Sequence, residues 1–173
     1  MFALLNKKFL KSVVLAAVMV LSAMVPLPAS ASPEVPLSVA NFSTNSEAMD
    51  YYMDLVEKLD VSTAIGKAVF YSGQGNRKLA EQFAISEDKT TLEMTPGGKM
   101  LDELKLFDQG SPLKPEQATR VWSRLSQRYA QQAAGDVYCF VAGARPTGVF
   151  TTIELPELKK NRKIGVMYNV SRL

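Results

Sequence analysis

The 173-residue sequence contains no histidine and only one cysteine, Cys139. Without histidine, the chain cannot build a Ser-His-Asp triad, a Cys-His dyad or a histidine-ligated zinc site. Without a second cysteine, it cannot form an intrachain disulfide. Cys139 stands within an apolar run, residues 137–141, so we expect a buried core thiol rather than a nucleophile. Any catalysis must therefore rely on carboxylates, hydroxyls, amides, aromatic rings or cations.

The sequence also lacks a strong excess of charge, with 20 lysines and arginines against 17 acidic residues. Three of the lysines (Lys7, Lys8 and Lys11) fall within the first 31 residues, which contain no acid, so the remainder holds 17 residues of each sign. Balanced charge argues against a nucleic-acid partner, because such a partner would require a basic patch or stripe.

The N-terminal segment has the three parts of a secretory signal peptide. The lysines form a positive region, residues 12–25 form an apolar run, and Ala29-Ser30-Ala31 supplies small residues for a signal peptidase. The apolar run is shorter than the roughly 20 residues that span a bilayer, so an uncleaved anchor is the less favoured alternative. We predict cleavage near Ala31, which leaves 142 residues of a secreted or periplasmic protein with no stable membrane insertion.

The remaining chain is large enough for one domain with a real core. Residues 32–45, rich in proline, serine and valine, predict a linker, and residues 46–173 predict a single domain. Apolar spacing predicts helices that begin near Ser46, with Ser46 or Asn45 as N-cap, and over residues 77–85, 100–107 and 115–134. Strands are predicted at 67–71, 90–93, 136–142, 149–155 and 163–169, with a break at Pro96-Gly97-Gly98 and a helix C-cap at Gly135. The helices come first in the sequence and the strands cluster late, an order that favours an α+β or irregular α/β fold.

Three short segments carry candidate functional residues. In Phe70-Tyr71-Ser72-Gly73, a strand ends in an aromatic residue and a helix opens beside it, where free backbone N–H groups can bind anions. In the segment 91–98, Glu93 precedes a glycine-rich break. In the segment 148–155, Glu154 falls among apolar and β-branched residues, on the same face of a predicted strand as Thr152 and Phe150. Each segment also has an alternative interpretation without a functional role. Residues 70–73 would be an ordinary turn, Glu93 a solvated glutamate, and Glu154 a glutamate of an edge strand that faces water.

Taken together and in this order, these segments resemble the ADP-ribosyl cyclase / NAD glycohydrolase family. Thr91-Leu92-Glu93, with Thr95 and Gly98 after it, is similar to the family's Thr-Leu-Glu motif. The stretch from Trp122 to Ala130 looks like its tryptophan-containing helix, and Phe150 to Glu154 looks like the segment that carries its catalytic glutamate. The resemblance covers roughly residues 67–155, about half of the chain.

The sequence departs from the animal members of the family in three ways: it is shorter, it has one cysteine, and Tyr71 stands where they typically carry tryptophan. These departures suggest a compact, disulfide-poor, bacterial-style secreted member. The resemblance implies an ADP-ribosyl cyclase-like fold, in which a helical N-terminal part packs on a small, largely parallel C-terminal sheet.

The resemblance also implies an activity: cleavage of the nicotinamide–ribose bond of NAD to nicotinamide and ADP-ribose, with some cyclisation. It assigns Glu154 as the catalytic carboxylate, Glu93 as the group that holds the carboxamide, and Trp122 and Tyr71 as rings that stack on nicotinamide. By its helical spacing, Trp122 is equally explained as a core residue. The remaining predicted substrate-binding positions are assigned to the phosphates: Ser126, and the backbone near Ser72, Gly73 and Phe150.

No cofactor or metal is predicted, because NAD is the substrate. A toxin role would add a separately encoded immunity protein as a partner. Two other functions stay open: a catalytically weak or inactive NAD- or ADP-ribose-binding protein of the cell envelope, and a structural envelope domain without a small ligand.

Overall fold

The computed structural model describes residues 42–170, so the predicted signal peptide (1–31) and most of the predicted linker (32–45) lie outside the described residues. The helices are α1 (Asn45–Lys58), α2 (Gln74–Ser86), α3 (Pro96–Glu103), α4 (Pro115–Gln132) and α5 (Leu155–Lys160). The strands are β1 (Ala68–Tyr71), β2 (Thr90–Thr91), β3 (Gly135–Phe140) and β4 (Ile164–Asn169). Within residues 42–170, no helix is both long enough and apolar enough to cross a membrane.

The four strands form one parallel sheet in the order β2-β1-β3-β4. This confirms the predicted α+β or irregular α/β class, with a helical part on a small parallel sheet. Strands β1 and β2 precede α4 in the chain, so the sheet draws on both halves of the domain. Because neighbouring strands are parallel, all of their carboxyl ends meet at one edge of the sheet.

The two faces of the sheet are covered by different helices. Ala68 and Phe70 of β1, with Val137 and Cys139 of β3, face the main core, which contains the apolar sides of α1 and α4. The alternate residues of the same strands, such as Val69, face a smaller cluster with α2. This alternation follows from the two-residue period of a strand. Cys139 is buried, as predicted, and burial raises the pKa of its thiol to about 12.

The structure contradicts the predicted strand at residues 149–155. Phe150–Glu154 is instead a π-helical turn that leads directly into α5. The β-branched residues Thr151, Thr152 and Ile153 suggested a strand, but two of them hold the chain in a turn. The Thr151 and Thr152 hydroxyls donate to the carbonyls of Arg145 and Gly148, both at 2.9 Å. Glu154 is therefore placed by helical geometry and not by alternation along a strand.

Several predicted boundaries are also corrected. Thr44, rather than Ser46 or Asn45, caps α1, because its hydroxyl accepts from the backbone N–H of Glu47. Helix α2 begins at Gln74, three residues earlier than predicted, and α4 ends at Gln132. Gly135 opens β3 with a φ of +73° instead of capping the preceding helix.

The Pro96-Gly97-Gly98 segment does not break the chain but starts α3. Thr95 caps this helix: its hydroxyl accepts from the Gly98 N–H at 3.0 Å and donates to the Leu92 carbonyl at 2.6 Å. A Cβ atom on Gly98 would overlap the Leu92 carbonyl group. The glycine therefore lets α3 begin directly against the 3₁₀ turn Leu92–Met94, which carries Glu93.

We predict that Gly98→Ala destabilises the domain by roughly 2 to 3 kcal/mol, because the methyl group collides with backbone that cannot move freely. Chemical denaturation monitored by circular dichroism measures the change. Gly75→Ala is the matched control, since a Cβ on Gly75 has nothing within 4 Å. Alanine should be neutral or slightly stabilising at that helical position. Equal stability of the two variants would contradict this account of the turn.

Candidate active site

A cavity of about 720 Å³ opens at the carboxyl edge of the sheet. It lies where β1 turns into α2, where β2 leads to Glu93, and where the chain continues beyond β3. Strand β2, which follows β1 in the chain, pairs with one side of β1, and the next strand, β3, pairs with its other side. The carboxyl edge at such a switch in strand order is the usual ligand-binding place in open parallel sheets. Its lining residues are Val69, Phe70, Tyr71, Ser72, Gly73, Gln74, Leu92, Glu93, Phe107, Ser126, Tyr129, Gly143, Arg145, Gly148, Val149 and Glu154.

Glu154 lies at the inner part of this cavity, with 7% of its surface exposed. Burial, followed by the charge of Glu93, raises the pKa of its carboxyl group from 4.5 to about 8. A hydrogen bond with the Ser126 hydroxyl acts in the opposite direction, because it favours the ionised form. In the empty cavity, Glu154 is thus largely protonated at neutral pH and poised to change charge. Such a carboxyl group in a cleft is a mark of a functional site.

Glu93 is held by Tyr71 at the ends of the two strands β1 and β2. The Tyr71 hydroxyl donates to Oε1 of Glu93. Burial, followed by the charge of Glu93, raises the pKa of Tyr71 well above its usual range, so the phenol remains a donor. Oε2 of Glu93 is buried and has no partner among the described residues. An unsatisfied buried acceptor favours a ligand that brings a donor.

The two walls of the cavity are joined by Asn76, in the first turn of α2. Its side-chain amide donates to the Ser72 carbonyl at 2.7 Å and to the Ala142 carbonyl at 2.9 Å. These carbonyls directly follow β1 and β3, respectively. Gly73, with a φ of +87°, allows the chain to turn sharply into α2. The backbone around the opening is therefore fixed from both sides.

Six of the predicted site residues line this one cavity: Glu154, Glu93, Tyr71, Ser126, Ser72 and Gly73. Trp122 and Phe150 are not among the lining residues. Both pack against the main core, where Phe150 is buried and Trp122 is half-buried. For Trp122, the contacts support the alternative role of a core residue. For Phe150, the π-helical turn directs the ring into the core.

Sequence reasoning did not single out three lining residues: Tyr129, Phe107 and Arg145. The Tyr129 hydroxyl is buried under the cavity, where it accepts from the Val69 N–H at 3.1 Å and donates to the Thr90 carbonyl at 2.6 Å. Sequence reasoning did not select Tyr129 because a tyrosine on the apolar face of a helix is usually a core residue. Phe107 is a large aromatic that is 56% exposed. Nothing in the sequence pattern around Phe107 or Arg145 marks them.

Residues 42–170 contain no group of three or more acidic or cysteine side chains that could hold a metal ion. The polar groups of the cavity lining include two carboxylates, hydroxyls, backbone amides and the guanidinium group of Arg145. One carboxylate can change its charge, and the other has a free acceptor. This set suits the stabilisation of a cation and the binding of an amide.

The family model for ADP-ribosyl cyclase matches residues 35–171. The solved structure of Aplysia cyclase complexed with substrate NGD and product cGDPR is 25% identical, with a TM-score of 0.55, over 70% of this chain and 55% of that one. Porcine CD38 complexed with a covalent intermediate, ribo-F-ribose-5'-phosphate, is 24% identical, with a TM-score of 0.53, over 69% of this chain and 59% of that one. No curated protein matches the chain.

These comparisons agree with the fold described above. The chain spans somewhat more than half the length of the solved structures that it matches. Since the family model covers most of the sequence, including every strand and helix described above, the chain belongs to the ADP-ribosyl cyclase family.

Proposed function

We propose that this protein cleaves the bond between nicotinamide and ribose in NAD, releasing nicotinamide and ADP-ribose, with cyclisation as a minor outcome. The observation that carries the proposal is the placement of Glu154 and Glu93 in one cavity, in a chain of this family. A cavity of about 720 Å³ is of the size that small-molecule sites usually have.

The leaving group explains how such a site works without histidine. Nicotinamide is already cationic in NAD, so it departs with the bonding electron pair as a neutral molecule and needs no general acid. The ribose is left as an oxocarbenium-like cation, as in glycoside hydrolysis. The ionised Glu154 carboxylate stabilises this cation or traps it covalently. Attack by water gives ADP-ribose and a proton, whereas attack by the adenine ring of the same molecule gives the cyclic product.

Glu93 is suited to hold the other end of the reacting bond. Its Oε1 is occupied by Tyr71, and its unpartnered Oε2 can accept from the N–H of the nicotinamide carboxamide. Tyr71 then lies beside the nicotinamide ring, where its own ring offers a stacking face. These contacts fix the ring relative to Glu154, and such orientation lowers the barrier to reaction.

The hydroxyl of Ser126 bonds to Glu154, so it helps to set the ionisation of the catalytic carboxyl group. Its predicted contact with a phosphate of NAD stays a prediction, as does binding of the phosphates by the backbone of Ser72 and Gly73. A bound nicotinamide cation lowers the pKa of Glu154, because an opposite charge nearby favours the ionised form. The substrate thus promotes the charge that its own cleavage requires.

We predict that Glu154→Gln lowers the rate of nicotinamide release at least about 100-fold, because an amide cannot stabilise the developing cation. Chromatography of the products of NAD measures the rate, and it separates ADP-ribose from cyclic ADP-ribose. The exposed Glu87, replaced in Glu87→Gln, is the matched control and should keep the parent rate. Thermal unfolding should show that Glu154→Gln is folded. A folded Glu154→Gln variant with the parent rate would contradict the role of Glu154.

We further predict that kcat/KM rises with pH, with its midpoint near pH 8, and levels off above about pH 9. At pH values below its pKa of about 8, Glu154 is protonated and carries no charge. The active fraction of the free protein therefore grows as the pH rises through that value. In Glu93→Gln, the midpoint should move to lower pH, because a neighbouring charge that raises the pKa of Glu154 is gone. A flat profile between pH 5 and pH 9 would contradict the assignment.

The second candidate function is a protein that binds NAD or ADP-ribose with little or no turnover. The position of Trp122 in the core favours it, since Tyr71 and Phe107 are then the aromatic residues of the cavity lining that are not buried. A rise in the unfolding temperature with NAD, without nicotinamide release, would identify this function. Release of nicotinamide would exclude it.

We also propose that the protein is exported, with residues 1–31 removed near Ala31. The last two residues of the predicted linker (32–45), Thr44 and Asn45, cap and begin α1, so the linker ends before them. The composition of the N-terminal segment supports this proposal. A bacterial-style toxin role and a separately encoded immunity protein would follow from an exported NAD-cleaving enzyme, since NAD is mostly intracellular. Mass spectrometry of the protein recovered outside the producing cytoplasm should give a chain that begins at Ser32. A chain that retains residue 1 would contradict cleavage.

A further inference from the structure

The charges that line the cavity are unevenly distributed. Glu154 is buried at the inner part of the cavity, and Glu93 is half-buried nearby. Among the lining residues of the described chain, Arg145 is the one cation, and it is exposed. The cavity is therefore acidic inside and basic toward solvent.

The backbone of Arg145 is held in place, while its side chain is available. The Arg145 carbonyl accepts from the Gly148 N–H and from the Thr151 hydroxyl, both at 2.9 Å. Within residues 42–170, the guanidinium group of Arg145 makes no ion pair or hydrogen bond. The nearby Arg77 differs, because its Nε atom pairs with Glu81 at 2.7 Å and the residue does not line the cavity.

The segment that carries Arg145 lies against the turn that leads from β1 into α2. A Cβ atom on Gly148 would be 3.5 Å from the Ser72 hydroxyl oxygen and 3.2 Å from the Arg145 carbonyl oxygen. Asn76 joins the same turn to the chain beyond β3. Arg145 therefore belongs to a segment that packs against the turn of Ser72 and Gly73, both of which also line the cavity.

We infer that Arg145 binds the diphosphate of the substrate and is the main electrostatic determinant of its affinity. This inference rests on the proposed function. NAD carries a positive nicotinamide ring at one end and a negative diphosphate several bonds away. With the ring near Glu154 and Glu93, the diphosphate reaches the basic outer part of the cavity. A guanidinium group is well suited to it, because two of its N–H groups can bind phosphate oxygens together.

The position of Ser126 supports the same assignment. Ser126 is buried, and its hydroxyl bonds to Glu154. A phosphate in contact with Ser126, as predicted, would lie next to a carboxylate, so binding there requires a nearby cation to offset the repulsion between like charges. The exposed Arg145 offers the opposite charge at the cavity opening, so the diphosphate is attracted to that end and the substrate is oriented with nicotinamide inward.

The experiment compares the affinity for ADP-ribose of the parent protein with that of Arg145→Gln by isothermal titration calorimetry. Loss of the charge-assisted contact should weaken binding roughly tenfold at low salt. Arg145→Lys should restore part of the affinity because it restores the charge. Arg162→Gln, which removes an exposed arginine outside the cavity lining, is the matched control and should bind as the parent does. In turnover with NAD, Arg145→Gln should raise KM by a similar factor, with a smaller change in kcat.

An affinity of Arg145→Gln for ADP-ribose within twofold of the parent would overturn the inference, as would a parent protein that does not bind ADP-ribose. The titration needs no catalysis, so it separates this inference from the proposed function. If the parent binds ADP-ribose through Arg145 but releases no nicotinamide, the proposed cleavage fails and the role of Arg145 holds. If NAD is cleaved but Arg145→Gln keeps the parent KM, the proposed cleavage holds and the role of Arg145 fails.

Discussion

A carboxyl group withdrawn from water is costly, and the surroundings of Glu154 show how the fold accommodates it. Burial and the charge of Glu93 both oppose ionisation of Glu154, while the Ser126 hydroxyl supports it. The π-helical turn Phe150–Glu154 delivers this carboxyl group to the cavity, and its first residue is fixed in the core. The site depends on this balance, since a fully solvated glutamate would be permanently charged and a deeper one would remain neutral.

The parallel sheet provides the second constraint. Its strands end at one edge, so residues distant in the sequence meet there without long excursions of the chain. Hydrogen bonds from polar side chains then fix the distances between the ends of neighbouring strands. Tyr129 contacts the backbone of β1 and β2 through its hydroxyl, and Asn76 does the same for the chain segments that follow β1 and β3. These hydrogen bonds connect the scaffold to the cavity, because each one fixes backbone that leads into lining residues.

Much of this arrangement could be predicted from the sequence. Helical periodicity located α1 and α4 because each has one continuous apolar face. Glu154 was singled out because a carboxylate in apolar surroundings is unusual, and Glu93 because it precedes a glycine-rich break. The segments of both residues also resemble family motifs. The strand predicted at 149–155 was wrong because β-branched residues favour strands, whereas threonine hydroxyls can also bond to the preceding backbone and hold a turn.

Other features were beyond the reach of sequence reasoning. Whether Trp122 faces a ligand or the core depends on how α4 is rotated against its neighbours, and spacing alone does not set that rotation. Arg145 lies in a turn without periodicity, so its position at the cavity follows only from the contacts of Gly148 and Thr151.

The buried single thiol of Cys139 has a different consequence. Because no covalent cross-link within the chain holds the sheet and helices together, the redox potential of a compartment does not decide whether this domain folds. The packing of buried side chains and the hydrogen bonds between strands therefore hold the domain together without an intrachain disulfide.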